Sequence, residues 1–117
     1  MLVDDYVMRQ IRKIAELCAA LVASGEPVAG LEEEIADAYR SLTGLPGEMI
    51  DRLDGASLAR MARGPEAARA LGDLLVADGD RMAHAGDVLG AARRFQTAVE
   101  LLREIGADPA LVQARLA

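Results

Sequence analysis

Residues 75–98 read LVADGDRMAHAGDVLGAARRFQTA, and the reading of this stretch decides the fold. Leu75, Gly79 and Met82 recur at helical spacing before Gly86, and Ala91, Phe95 and Ala98 follow it at i, i+4 and i+7. Two narrow apolar stripes on either side of a glycine turn specify a helical hairpin that still needs a neighbour. Small residues on both stripes let the two backbones approach, with Phe95 wedged into the seam. Gly72 and Gly79 each cost about 1 kcal/mol against alanine inside a helix, and close backbone approach accounts for residues that costly. Asp78 interrupts the apolar spacing of the first helix.

Outward from the hairpin, Gly64-Pro65 restarts the chain with proline at the first helical position, and Gly86-Asp87 supplies the turn and the N-cap. Gly106 ends the second long helix, and Asp108-Pro109 opens a short C-terminal helix containing Leu111, Val112 and Leu116. Before the hairpin, 4–23 form an amphipathic helix with Val7, Ile11, Ile14, Leu17 or Cys18, and Leu21 or Val22 inward. Its apolar set also takes in Met8, Ala15 and Ala19, a stripe wide enough for two neighbours or a second copy of the chain. Ser24-Gly25 stops it, and Pro27 sits early in the next helix, from about Val28 to Leu42, with Leu31, Ile35, Ala38, Tyr39 and Leu42 inward. The run Glu32-Glu33-Glu34 lies near its first turns, where carboxylates complement the helix dipole on a solvated face. Thr43 to Gly47 form a turn, and two short helices between Glu48 and Gly64 span the gap between the hairpins.

The 117 residues give one domain, 1–117: a first hairpin (4–43), connecting helices (48–63), the second hairpin (65–106) and a capping helix (108–117). Hydrophobic residues make up 52% but aromatics only 3%, so the core is built from Ala, Leu, Val, Ile and Met, which favours close-packed helices. A net charge of −6 repels phosphate backbones and anionic headgroups, arguing against nucleic acid and membrane as partners. The single cysteine, Cys18, forms no internal disulfide, and no leader-like segment opens the chain, which points to a reducing, cytoplasmic setting. Its longest apolar run is far shorter than the roughly 20 residues of a membrane span.

The 75–98 stretch resembles one tetratricopeptide repeat. Leu75, Gly79 and Met82 stand where that family has its first-helix aromatic, glycine and tyrosine, and Ala91, Phe95 and Ala98 match the second-helix signature. Asp78 replaces a leucine of the pattern, and Arg103 stands where proline commonly closes the repeat. Ile35 and Ala38 repeat the spacing of Phe95 and Ala98, so at most two hairpins flank an insertion. The whole chain also resembles a bacterial family of short helical proteins without an assigned activity, through DYVMRQIRKIAELCAALV, DAYRSLTGLP and the G-D-x-x-x-A-x-x-x-F element of residues 86–95. These resemblances imply an all-α fold of antiparallel hairpins, a right-handed tetratricopeptide-like array with a short helical insertion, about five to seven helices in all. In tetratricopeptide modules the first helix of each repeat lines the inner groove, which here implies Asp73, Val76, Asp80 and Ala83. That surface is acidic and apolar, without the lysines and asparagines that clamp acidic C-termini, so a basic or apolar peptide fits it better.

Asp80, His84 and Asp87 have spacing that could present metal ligands, but Gly86 breaks the face, and a histidine near a helix C-terminus explains His84 more simply. Cys18 reads as a small core hydrophobe, and Arg93-Arg94 as a solvated pair. No catalytic residue, cofactor site or metal site follows from the chain. The expectation is a non-enzymatic interaction or scaffolding module that binds a protein or peptide in its groove, or pairs with itself as a homodimer through Val7, Ile11, Ile14, Cys18 and Leu21. The alternative is a small-molecule or metal-binding protein with a pocket between helices.

Overall fold

Helix α5 (Pro65–His84) is the element on which the others converge, because its buried residues cover both flanks rather than one stripe. A computed structural model describes residues 5–24, 29–62 and 64–116, with the side chains of Val7, Cys18, Leu21, Val22 and Ser24 left outside that description. Among the described residues every secondary-structure element is a helix and no strand occurs. Before α5 come α1 (Asp5–Ser24), α2 (Leu31–Thr43), α3 (Gly47–Ile50) and α4 (Gly55–Met61). After it come α6 (Val88–Glu104), α7 (Ala110–Gln113) and a closing 3-10 turn, Ala114–Leu116. None of these helices is long and apolar enough to cross a membrane. The all-α expectation therefore holds.

Ala67, Leu71, Leu74, Leu75 and Asp78 face the first hairpin and the core, while Gly72 and Gly79 face α6. With 3.6 residues per turn, these positions span roughly half of the helix circumference. α5 consequently packs on α1 and α2 at one side and on α6 at the other. Gly79 meets Phe95, and Gly72, seven positions earlier, meets Leu101 and Leu102, so α5 and α6 run antiparallel. Phe95 is buried at 6% exposure and Ala91 at 3%, as the close-approach reading of the seam requires. The radius of gyration, 13.1 Å, matches the roughly 13 Å of a compact body of this length, so the hairpins close on one core.

Local chemistry sets the ends. Asp87 caps α6 by accepting the Gly90 N–H at 2.9 Å, and Asp54 caps α4 by accepting the Ser57 N–H at 2.6 Å. That backbone bond from Ser57 holds the Asp54 carboxyl below its ordinary pKa. α2 begins at Leu31, three residues later than the periodicity suggests, since Gly30 takes a left-handed φ of 76° that a helix interior does not accept. The expected roles of Gly25 and Pro27 and the start at Val28 lie outside the described residues. Gly55, the first residue of α4, lies against α6. A Cβ there would run into the Thr97 carbonyl and Leu101 amide of α6, and its N–H is donated to Glu100 Oε1 at 2.9 Å. α4 is thus laid backbone to backbone on α6.

The two helical glycines separate by experiment. A Cβ at Gly79 would sit 2.6 Å from the Phe95 ring, whereas one at Gly72 would meet flexible leucine tips at 3.3 and 3.4 Å. Gly79→Ala should therefore destabilise the protein by about 1–3 kcal/mol as an overpacked core. Gly72→Ala should be neutral or stabilising by up to about 1 kcal/mol through helix propensity. Urea unfolding followed by circular dichroism measures both, and equal effects would contradict the seam geometry.

Candidate functional site

The inward arc of α5 leaves one side of that helix free, and a groove of about 830 Å³ runs along it. Asp73, Val76, Ala77, Asp80, Ala83 and His84 of α5 form one wall, and Ala15, Ala19 and Ala23 of α1 form the other. The four positions carried over from the tetratricopeptide resemblance, Asp73, Val76, Asp80 and Ala83, all line it. The alanine wall opposite them was not foreseen. It exists because Ile11 and Ile14 turn into the core, at 6% and 0% exposure, and roll the small residues of α1 toward α5. Ile11 and Ile14 are accordingly unavailable to a second copy, which corrects their assignment to a self-association face. The side chains of Val7, Cys18 and Leu21 lie outside the described residues.

Arg115 closes one end of the groove. Its Nε and Nη2 donate to the two carboxylate oxygens of Asp80 at 3.0 and 3.3 Å, and Nη1 donates to the Leu111 carbonyl at 3.2 Å. The guanidinium carbon also stands 5.9 Å from the centre of the Phe95 ring. Beyond Arg115 and Ala83 a smaller cavity of about 270 Å³ continues past Val88, Ala92 and Leu116. Asp73 lacks such a partner. Loss of hydration against the groove walls raises its pKa, and Arg69 opposes that shift only in part.

On the opposite side of α5 lies a group that sequence reasoning missed. Asp78 is 1% exposed, yet every acceptor position of its carboxylate is used. Oδ1 accepts from Arg81 Nε at 3.0 Å and Nη2 at 2.9 Å, and Oδ2 accepts from the Tyr39 hydroxyl at 2.8 Å and Arg94 Nε at 2.9 Å. Arg94 donates further to Asp51 at 2.6 Å and lies 5.5 Å from the centre of the Tyr39 ring. Burial pushes the Tyr39 phenol well above its ordinary pKa, with the Asp78 charge adding to it. Burial works against the Arg94 charge, but Tyr39, Asp78 and Asp51 outweigh it and raise its pKa. The solvated reading of Arg93-Arg94 is thus corrected for Arg94, which is 8% exposed, and holds for exposed Arg93. The signal was present in sequence: an acid on the inward stripe of α5 and a base three positions from Ala91 on the inward stripe of α6.

The other singled-out residues have plainer places. Glu32 and Glu33 are exposed, as a solvated face requires, with Glu32 reaching Arg81 at 3.4 Å, while half-buried Glu34 bonds Lys13 of α1 at 3.0 Å. His84 stands exposed on the groove wall, and Asp80 is occupied by Arg115. Among the described residues no three His, Cys, Asp or Glu side chains converge as metal ligands. The chain matches no protein-family model, no curated protein and no solved structure.

Two measurements follow from the charges. Asp78→Leu takes the buried acceptor from Arg94 Nε, Arg81 and the Tyr39 hydroxyl, leaving Arg94 only its Asp51 ion pair, and should cost about 3–5 kcal/mol. Replacing the trio together, Tyr39→Phe, Asp78→Leu and Arg94→Met, should recover most of that loss in urea unfolding, and an equally unstable triple variant would refute the account. Asp73 has a raised pKa, so its ionised form opposes folding: no penalty exists below the ordinary value, and the penalty grows as pH rises above that value and is complete once the folded carboxyl has ionised. Asp73→Asn should therefore raise Tm at pH 7, with the gain vanishing below the ordinary value of 3.8. A gain that is the same in acid would contradict desolvation as the cause.

Proposed function

We propose that the chain is a non-enzymatic protein-interaction module, tetratricopeptide-like in its arrangement and working in the cytoplasm, whose α1/α5 groove receives a helix of a protein partner. The observation that carries this reading is the groove itself. Alanines on one wall and Val76, Ala77 and Ala83 on the other leave an apolar trough open along the helix axis, with carboxylates set into it. Pairing of α5 with α6, together with packing of α5 on both α1 and α2, fits two successive hairpins whose first helices share a concave side. The negative charge of the chain favours a basic partner over nucleic acid or an anionic membrane.

A small-molecule site is the second reading, favoured by the groove volume, which falls in the range of about 300–1,000 Å³ for such pockets. Against it stands the scarcity of free converging polar groups: of two carboxylates, one imidazole and one guanidinium, the guanidinium and one carboxylate are already bonded to each other. A photo-reactive side chain placed at Ala83, with one at exposed Glu48 as control, tests the primary reading in living cells. Discrete adducts should form from position 83 and not from 48. An adduct of twice the chain mass would identify the partner as a second copy, and identical labelling from both positions would overturn the groove as the docking surface.

A further inference from the structure

We propose that the helix received by the α1/α5 groove is apolar and bears arginine, that Asp73 takes its guanidinium, and that Arg115 of the chain's own tail competes for the same acidic face. The inference rests on the reading of the groove as a docking surface and specifies the chemistry of its occupant.

Asp73 and Asp80 are seven positions apart on α5, which sets them about two turns or roughly 10 Å apart on one face. They line one groove but differ in what they hold. Asp80 already carries a guanidinium in a two-pronged arrangement, Nε on Oδ1 at 3.0 Å and Nη2 on Oδ2 at 3.3 Å. The Phe95 ring stands 5.9 Å from that guanidinium carbon. Planar fork, carboxylate and aromatic ring form a recognition geometry that arginine satisfies and lysine does not. Arg115 therefore shows, from within the chain, what the groove accepts.

Asp73 is in the same trough with no ion pair or hydrogen bond of its own among the described residues, and Arg69 is the one cation whose charge reaches it. Asp73 is exposed on the groove lining, and a solvent-reachable carboxylate beside apolar walls without a partner can take a cation brought by a ligand. Around it the walls are Ala15, Ala19, Val76 and Ala77, small enough for a helix backbone to come close. The tail that delivers Arg115 is lightly held: Val112 is its buried anchor, while Leu111 is 81% exposed. A ligand arginine that displaces Arg115 from Asp80 thus has little packing to undo.

The test uses the full chain and three fluorescent, alanine- and leucine-based helical peptides that carry arginine, glutamine or glutamate at two positions seven apart. Anisotropy titrations should show the arginine peptide binding at least about tenfold more tightly than the glutamate peptide, with an advantage that shrinks as salt is added. Asp73→Asn should weaken the arginine peptide about fivefold and leave the glutamine peptide unchanged, the scale of one partly exposed ion pair. Arg115→Gln should strengthen the arginine peptide. Circular dichroism establishes that each variant is folded. Equal binding of the arginine and glutamine peptides, or no effect of Asp73→Asn, overturns the proposal. An Arg115→Gln variant that binds no better overturns the competition. Val76→Arg distinguishes the two levels: if it abolishes binding of arginine and glutamine peptides that bind equally, the groove reading survives and the arginine inference falls. Peptides that fail to bind, or that bind regardless of Val76→Arg, remove both.

Discussion

A single buried carboxylate determines how the two halves of this chain are held together. Asp78 is withdrawn from water on the inward side of α5, and such a group is tolerable only when its oxygens are matched by donors. Tyr39 comes from α2, Arg94 from α6 and Arg81 from one turn further along α5, while Asp51, after α3, neutralises the far side of Arg94. Each donor belongs to a different stretch of chain, so the arrangement is satisfied only when the first hairpin, the connecting segment and the second hairpin are all in place. Apolar contacts alone would tolerate sliding between helices. A carboxylate with four directed donors does not.

Directionality matters here because the rest of the core is smooth. Leu71, Leu74 and Leu75 pack against Ile14, Ile35 and Leu42 in one cluster with few aromatic rings, and leucine-rich surfaces permit several registers of similar energy. Two steric features narrow that choice in the second hairpin. Phe95 occupies the space left by the absent Cβ of Gly79, and Gly55 brings the start of α4 onto the α6 backbone. Register between α5 and α6 is thus set by shape together with the Arg94–Asp78 pair, and register between α5 and α2 by the Tyr39–Asp78 hydrogen bond.

The chain's amino-acid pattern was legible wherever the physics is local. Helical periodicity, the capping aspartate at 87 and the Gly79–Phe95 seam depend on residues near in sequence, and each is found as the spacing implies. Legibility fell where a residue's role depends on a distant element. Asp78 looked like a flaw in an apolar stripe because its partners Tyr39 and Arg94 are 39 and 16 positions away. Ile11 and Ile14 looked equally suited to a second copy or to the core, since an amphipathic stripe does not say which surface will cover it; the core did. On α5 the four positions named from the resemblance line a groove, but the opposing alanine wall depends on how α1 is rolled, which periodicity alone does not give.

The geometry of α5 separates the carboxylate that holds the fold from the carboxylates that line the groove. Asp78 and Asp80 are two positions apart, hence about 200° apart around the helix axis. One carboxylate is enclosed and fully bonded, and the other stands in the groove paired with Arg115. A cation approaching Asp80 therefore need not disturb the Asp78 cluster that locks the hairpins. The remaining mechanical link between the sides is the seam itself: Arg115 lies over the Phe95 ring, and that ring rests on Gly79, between the two aspartates. Movement of the C-terminal tail would thus be felt first at Phe95. Because a glycine rather than a side chain lies beneath the ring, the backbone of α5 supports it directly and leaves it little room to follow the tail.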